Sequence, residues 1–247
     1  MPTRKRRVMA KKEIVFQNTS YELSYELLNQ NQPQTILFLH GWGSNKEIMK
    51  QAFGKTFSQY QHLYLDLPGF GHSSIHDVIT TGTYSDIVSV FLKALHVKPL
   101  IIVGHSYGGK VATLLQPEVL VLLSSAGIVP PKSLKVKLKI ALFKLLKPFA
   151  PRSFYRFFAT KDVEGMSQTM YEIIKRVVNE DFSEQFLTCK AKTFLFWGKE
   201  DSAMPLFCGE KMHSLIKGSH FYPMEGDHFF FMNQAKQIEK TLGEFGF

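Results

Sequence analysis

Five stretches of this chain are apolar at nearly every position: TILFLH (35–40), HLYLDL (62–67), LIIVGH (100–105), VLVLLSS (119–125) and TFLFWG (193–198). A strand with one face in water alternates apolar and polar residues. A run without alternation needs cover on both faces, and parallel strands obtain it from helices on either side of their sheet. Helical segments do alternate with these runs, near 45–58, 83–96, 107–115, 206–217 and 233–244. Strands are also expected near 13–18, 21–27 and 219–224, and the first two read as a hairpin turning at Asn18, Thr19 and Ser20. The expected fold class is therefore α/β, a doubly wound, mostly parallel eight-stranded sheet.

The alternation stops at residues 127–190, where no clear strand pattern is found. Leu134, Leu138, Leu142, Leu145 and Phe149 recur at helix-like spacing between prolines, and further helices are expected near 162–178 and 181–188. This segment reads as a helical cap inserted between strands 6 and 7. The implied organisation is a basic tail at 1–12, a core at 13–126 and 191–247, and the cap at 127–190. A length of 247 residues and a hydrophobic content of 45% suit one domain with an insertion.

The net charge is +9, and its location matters more than its size. No acidic residue occurs between Glu118 and Asp162, whereas that window holds nine basic residues, among them Lys139, Arg152 and Arg156. The other basic cluster is Arg4–Arg7 in the tail. Local basicity of this kind suits an acidic partner or an anionic surface. No apolar run approaches the roughly 20 residues of a membrane span, and the N-terminus lacks the apolar region of a secretory signal. The two cysteines, Cys189 and Cys208, imply reduced thiols and a cytoplasmic setting rather than a disulfide framework. Nothing around Cys208 resembles a site that would activate a thiol.

The run LIIVGH leads into a sharp corner, GHSYGG at 104–109. Glycines two before and two after Ser106 are what a tight strand-to-helix turn requires, and such a turn exposes the serine hydroxyl. Serine is a weak nucleophile and needs a base, a group to orient that base, and donors for the developing oxyanion. His228, in GDHFFF beyond the last strand, is the candidate base; His220, within that strand, is its rival. Asp201, in FLFWGKEDSAMP, is the candidate orienting carboxylate, with Glu200 beside it as the alternative. The oxyanion donors are expected to be the backbone N–H groups of Tyr107 and of Trp42 in His40-Gly41-Trp42-Gly43.

In these elements the chain resembles the α/β-hydrolase fold family. HGWG at 40–43, DLPGFGHSS at 66–74, GHSYGG at 104–109, WGKED at 197–201 and GDH at 226–228 run in family order from about residue 13 to the end. The resemblance implies a triad of Ser106, Asp201 and His228 and acyl transfer without a cofactor or metal. It assigns Asp66 to holding a turn rather than to chemistry. A serine at the corner argues against the dehalogenase and epoxide-hydrolase branches.

Two capped groups within the family are similar to this chain. The methyl esterases of pimeloyl-acyl-carrier protein share its compact size, HGWG and a basic cap, and imply an acidic carrier protein docked on Lys139, Arg152 and Arg156. The hydrolases of meta-ring-cleavage products, which break a C–C bond beside a ketone, are the alternative. A lipid or general carboxylesterase touching an anionic membrane surface and a non-catalytic binding protein are further readings. Nucleic-acid binding is not expected, because no recognition motif accompanies the basic segment.

Overall fold

A computed structural model describes residues 10–130 and 166–247 of the chain. Its eight strands are β1 (Ala10–Phe16), β2 (Thr19–Leu28), β3 (Thr35–Leu39), β4 (Gln61–Leu65), β5 (Ile101–His105), β6 (Val119–Leu123), β7 (Lys192–Gly198) and β8 (His220–Met224). They form one sheet in the order β1-β2-β4-β3-β5-β6-β7-β8. The pairs β1·β2 and β2·β4 are antiparallel, and every later pair is parallel. The α/β class and the mostly parallel sheet are thus as the apolar runs require.

The apolar runs carry no alternation because both sheet faces are covered. Leu37, Leu39, Ile102, Leu120, Leu122, Leu195 and Trp197 pack into one buried cluster. That face is covered by α2 (Thr81–Ala94), α3 (Tyr107–Leu115) and α6 (Leu206–Leu215) through Ile87, Phe91, Val111 and Met212. Ile36, Phe38, Val103, Val121, Phe194 and Phe196 form the opposite cluster. There α1 (Lys46–Phe53) and α7 (Phe231–Gly243) supply Met49, Phe53, Phe231 and Ile238. Each strand residue alternates between two dry faces, and full burial of one such side chain stabilises by about 1.5–3 kcal/mol.

The opening hairpin corrects the sequence reading at both ends. Gln17 and Asn18 both adopt positive φ, 49° and 65°, the condition for a tight two-residue turn. The turn therefore precedes Thr19, which already pairs with Phe16. The first strand begins at Ala10, so Lys11 and Lys12 do not belong to a tail: they pair with Ser24 and Leu23. The side chain of Lys11 also meets Glu22 across the ladder.

Helix α1 is shorter than expected. Asn45 caps it, its side chain accepting from the Glu47 N–H, and the helix stops before Gly54. Between β6 and β7 the described residues hold α4 (Gln168–Val177) and α5 (Ser183–Leu187), within the expected helices. Residues 131–165, with Lys139, Arg152 and Arg156, lie outside the described residues.

The chain leaves β3 toward β4 on one side and later returns to β5 on the other. Strand order therefore reverses between β3 and β5. In open parallel sheets such a reversal leaves a crevice beyond the carboxyl ends of the strands, where ligands bind. The HGWG loop follows β3 and Ser106 follows β5, so both stand at this crevice.

Candidate active site

Ser106 joins β5 to α3 with φ 50° and ψ −118°, a conformation that side chains other than glycine rarely adopt. The flanking glycines make the corner possible. A Cβ on Gly104 would lie 2.6 Å from the Gly108 carbonyl oxygen and the Gly109 Cα, and one on Gly108 would lie 2.5 Å from the His40 carbonyl oxygen. The corner is tied down by backbone bonds: Ser106 N–H donates to the Leu123 oxygen at 3.1 Å, and the Ser106 oxygen accepts from Ala126 N–H at 3.0 Å.

The loop after β3 packs directly on the serine, since a Cβ at Gly41 would come within 3.0 Å of the Ser106 Cβ. Buried His40 holds that loop. Its Nδ1–H donates to the Gly41 oxygen at 2.8 Å, and its Nε2 accepts from the Leu67 N–H at 3.1 Å. Burial pulls its pKa down to about 4, so the ring is neutral and can both donate and accept. The Trp42 ring stands edge-on to Tyr107, with centroids 5.3 Å apart. Tyr107 is the first residue of α3, where backbone N–H groups have no partner within the helix.

Asp201 and His228 come together from the loops after β7 and β8. His228 Nδ1 donates to Asp201 Oδ2 at 2.7 Å, which leaves Nε2 with its lone pair. Asp201 is buried, and its Oδ1 accepts the N–H groups of Ala203 and Met204, both at 2.8 Å. Burial alone would raise its pKa. The hydrogen bond from His228, that from the Met204 N–H and the charge of His228 outweigh burial and hold the carboxyl below its usual range. Glu200 is exposed and contributes its backbone N–H to Gly226 instead.

No hydrogen bond joins Ser106 to His228 among the described residues. The link between them is His105, whose Nε2–H donates to the His228 carbonyl oxygen at 3.0 Å and whose ring centroid is 4.6 Å from that of His228. Burial first, and the neighbouring His228 second, lower its pKa to about 3, so it stays neutral. An imidazole anchored by a carboxylate through Nδ1–H, its ring packed on the residue before a half-buried serine, can serve as a general base.

The other candidates separate from this centre. His220 opens β8, stacked on Phe194 with centroids 5.1 Å apart, at the strand end opposite the His228 loop. Cys208 is fully buried on α6; burial first and the Asp201 charge second push its thiol up to about 11, which keeps it protonated. Asp66 holds a turn: its carboxylate accepts from the Lys46 N–H at 2.7 Å, the Lys46 ammonium at 2.6 Å and the His72 N–H at 3.1 Å.

A cavity of about 690 Å³ opens at Ser106. Trp42, Tyr107 and Met204 line it beside the serine, and Ile174, Val177 and Val178 form an apolar wall. Lys110 also lines it, a residue the sequence reading passed over. The available signal was its position, in the first turn of the helix that follows Ser106.

The sequence matches the alpha/beta hydrolase family over residues 36–240. The chain belongs to that family. Among curated relatives of this hydrolase, an uncharacterized hydrolase, YugF, of Bacillus subtilis is 24% identical over 239 residues, covering 81% of this chain and 85% of the relative. A pimeloyl-[acyl-carrier protein] methyl ester esterase of Shewanella woodyi is 39% identical over 82 residues. That match covers 33% of this chain and only 30% of the esterase. Among solved structures, an esterase from Exiguobacterium antarcticum superposes with a TM-score of 0.70 at 20% identity, covering 91% of this hydrolase and 95% of that chain. Among the described residues no helix of the hydrolase is long and apolar enough to cross a membrane.

Proposed function

We propose that this hydrolase cleaves carboxylic esters through a serine nucleophile. Ser106 is the nucleophile, His228 the base, Asp201 its orienting carboxylate, and the N–H groups of Trp42 and Tyr107 the oxyanion donors. The observation that carries the reading is the 2.7 Å His228–Asp201 hydrogen bond together with a serine held at positive φ that lines the cavity.

In this mechanism His228 Nε2 takes the Ser106 hydroxyl proton as Oγ bonds to the ester carbonyl carbon. Negative charge moves to the carbonyl oxygen, where fixed N–H donors stabilise it more than they stabilise the neutral ester. The tetrahedral intermediate expels the alcohol, which leaves with the proton from His228. Water then attacks the acyl-serine, giving its proton to His228, and the acid departs with the serine restored. Asp201 keeps the imidazole in the reactive tautomer and stabilises the imidazolium.

The substrate proposed is the methyl ester of pimeloyl-acyl-carrier protein, met in the cytoplasm. Support comes from the 82-residue match to an esterase of that name and from the nine basic residues between Glu118 and Asp162. A strongly acidic carrier would be steered by that charge, with Lys139, Arg152 and Arg156 as contacts. The apolar wall of Ile174, Val177 and Val178 suits an acyl chain.

The test is hydrolysis of the carrier-bound methyl ester beside a short p-nitrophenyl ester, at low and high salt, by wild type and Ser106→Ala. Ser106→Ala is expected to lose about ten-thousand-fold or more in turnover on both while keeping its circular dichroism spectrum. Near-normal turnover by that variant overturns the serine mechanism. Salt-sensitive activity on the carrier ester supports the finer reading. Activity on the p-nitrophenyl ester alone discards it and directs the search to ring-cleavage products and lipids.

A further inference from the structure

Lys110 is 1% exposed, yet it lines the cavity that opens at Ser106. Among the described residues lining that cavity it is the one side chain that carries a charge. Its ammonium donates to Glu180 Oε2 at 2.8 Å and to the Val177 carbonyl oxygen at 2.8 Å. It also stands 4.5 Å from the Phe182 ring centroid. Burial lowers its pKa, and the hydrogen bond and charge of Glu180 oppose that shift.

Glu180 reaches Lys110 from the turn between α4 and α5. Its carboxylate also accepts from the Thr81 hydroxyl, whose oxygen is 3.4 Å from the Tyr107 hydroxyl. The Glu180 side chain is 29% exposed, so it sits where the buried cation meets solvent.

An unpaired ammonium beside the nucleophile, in a cavity with an apolar wall, would attract any substrate bearing a carboxylate. Here the cation already has a carboxylate partner. A second carboxylate would have to displace Glu180 or lie against it, and like charges at a partly desolvated site are costly. A methylene chain pays no such cost.

We infer that Glu180 is a specificity-determining residue: by neutralising Lys110 it makes the cavity accept uncharged acyl groups and reject those with a free carboxylate near the scissile bond. The inference rests on the esterase reading and adds the charge class of its substrate.

The test compares kcat/KM for p-nitrophenyl butyrate and for the mono-p-nitrophenyl ester of glutaric acid, which carries a free carboxylate. Wild type favours the butyrate. Glu180→Gln keeps an oxygen for Lys110 and Thr81 but removes the charge; it should shift the ratio toward the glutarate ester by about tenfold or more, mainly through a lower KM. Lys110→Met with Glu180→Gln, a neutral pair, guards against misfolding of the single variant and should fall between wild type and Glu180→Gln. A ratio equal to wild type in Glu180→Gln, or a double variant that shifts as far as Glu180→Gln, with both esters hydrolysed, overturns the inference. If wild type hydrolyses neither ester, the inference is overturned; if it also leaves the carrier-bound methyl ester intact, the esterase reading fails with it.

Discussion

His228 and Asp201, 27 residues apart in the chain, share a 2.7 Å hydrogen bond from Nδ1–H to Oδ2. Two different loops bring them together at the carboxyl end of the sheet. The Asp201 carboxylate can reach the imidazole because its other oxygen is clamped by the Ala203 and Met204 N–H groups. Glu200, one residue earlier, is exposed and makes no side-chain hydrogen bond to His228.

This separates two neighbouring carboxylates. Asp201→Asn should lower kcat by roughly a thousand- to ten-thousand-fold, because the amide no longer fixes the Nδ1–H tautomer. Glu200→Gln should stay within about twofold of wild type, as surface substitutions away from special features do. Steady-state turnover of a p-nitrophenyl ester decides the matter, and the reverse order of effects would move the orienting role to Glu200.

The glycines around the serine make unequal demands. Gly108→Ala would drive a Cβ to 2.5 Å from the His40 carbonyl oxygen, against backbone that cannot swing aside. A loss of about 3 kcal/mol or more is expected. Gly43→Ala meets nothing within 4 Å but sits at φ 71°, so only backbone strain of about 1–2 kcal/mol applies. Urea unfolding of the two variants should rank them in that order.

Acid should destabilise the fold well above the carboxylate range. His40 and His105 are buried neutral, with pKa values lowered from 6.5 to about 4 and about 3. The unfolded chain binds their protons more readily than the folded chain does. The stability they confer is complete above pH 6.5 and declines as pH falls toward those folded values. The expected loss is roughly 2 kcal/mol per histidine by pH 5. A urea midpoint unchanged between pH 7 and pH 5 would contradict this.

Several features were legible because they are local. Unbroken apolar runs such as LIIVGH state that both faces of a strand are covered. Gly104 and Gly108 state that the backbone at Ser106 leaves no room for a Cβ. Other features depend on partners distant in sequence. Lys46 carries no local sign of burial, yet it is buried against Asp66 and Ser24. Lys110 carries no local sign of burial, yet the Val177 carbonyl of α4 and Glu180 close over it. Lys11 and Lys12 read as part of a basic tail until β2 is seen to pair with them.

By itself the sequence determined the α/β class, the parallel sheet and the serine corner, because periodicity and steric exclusion act over a few neighbouring residues. Tertiary structure alone decided that Asp201 rather than Glu200 meets the imidazole, that His228 rather than His220 stands at the site's end of the sheet, and that a neutralised lysine lines the cavity. Those outcomes depend on loop direction and on the burial of charge against partners up to 70 residues away, which no local pattern encodes.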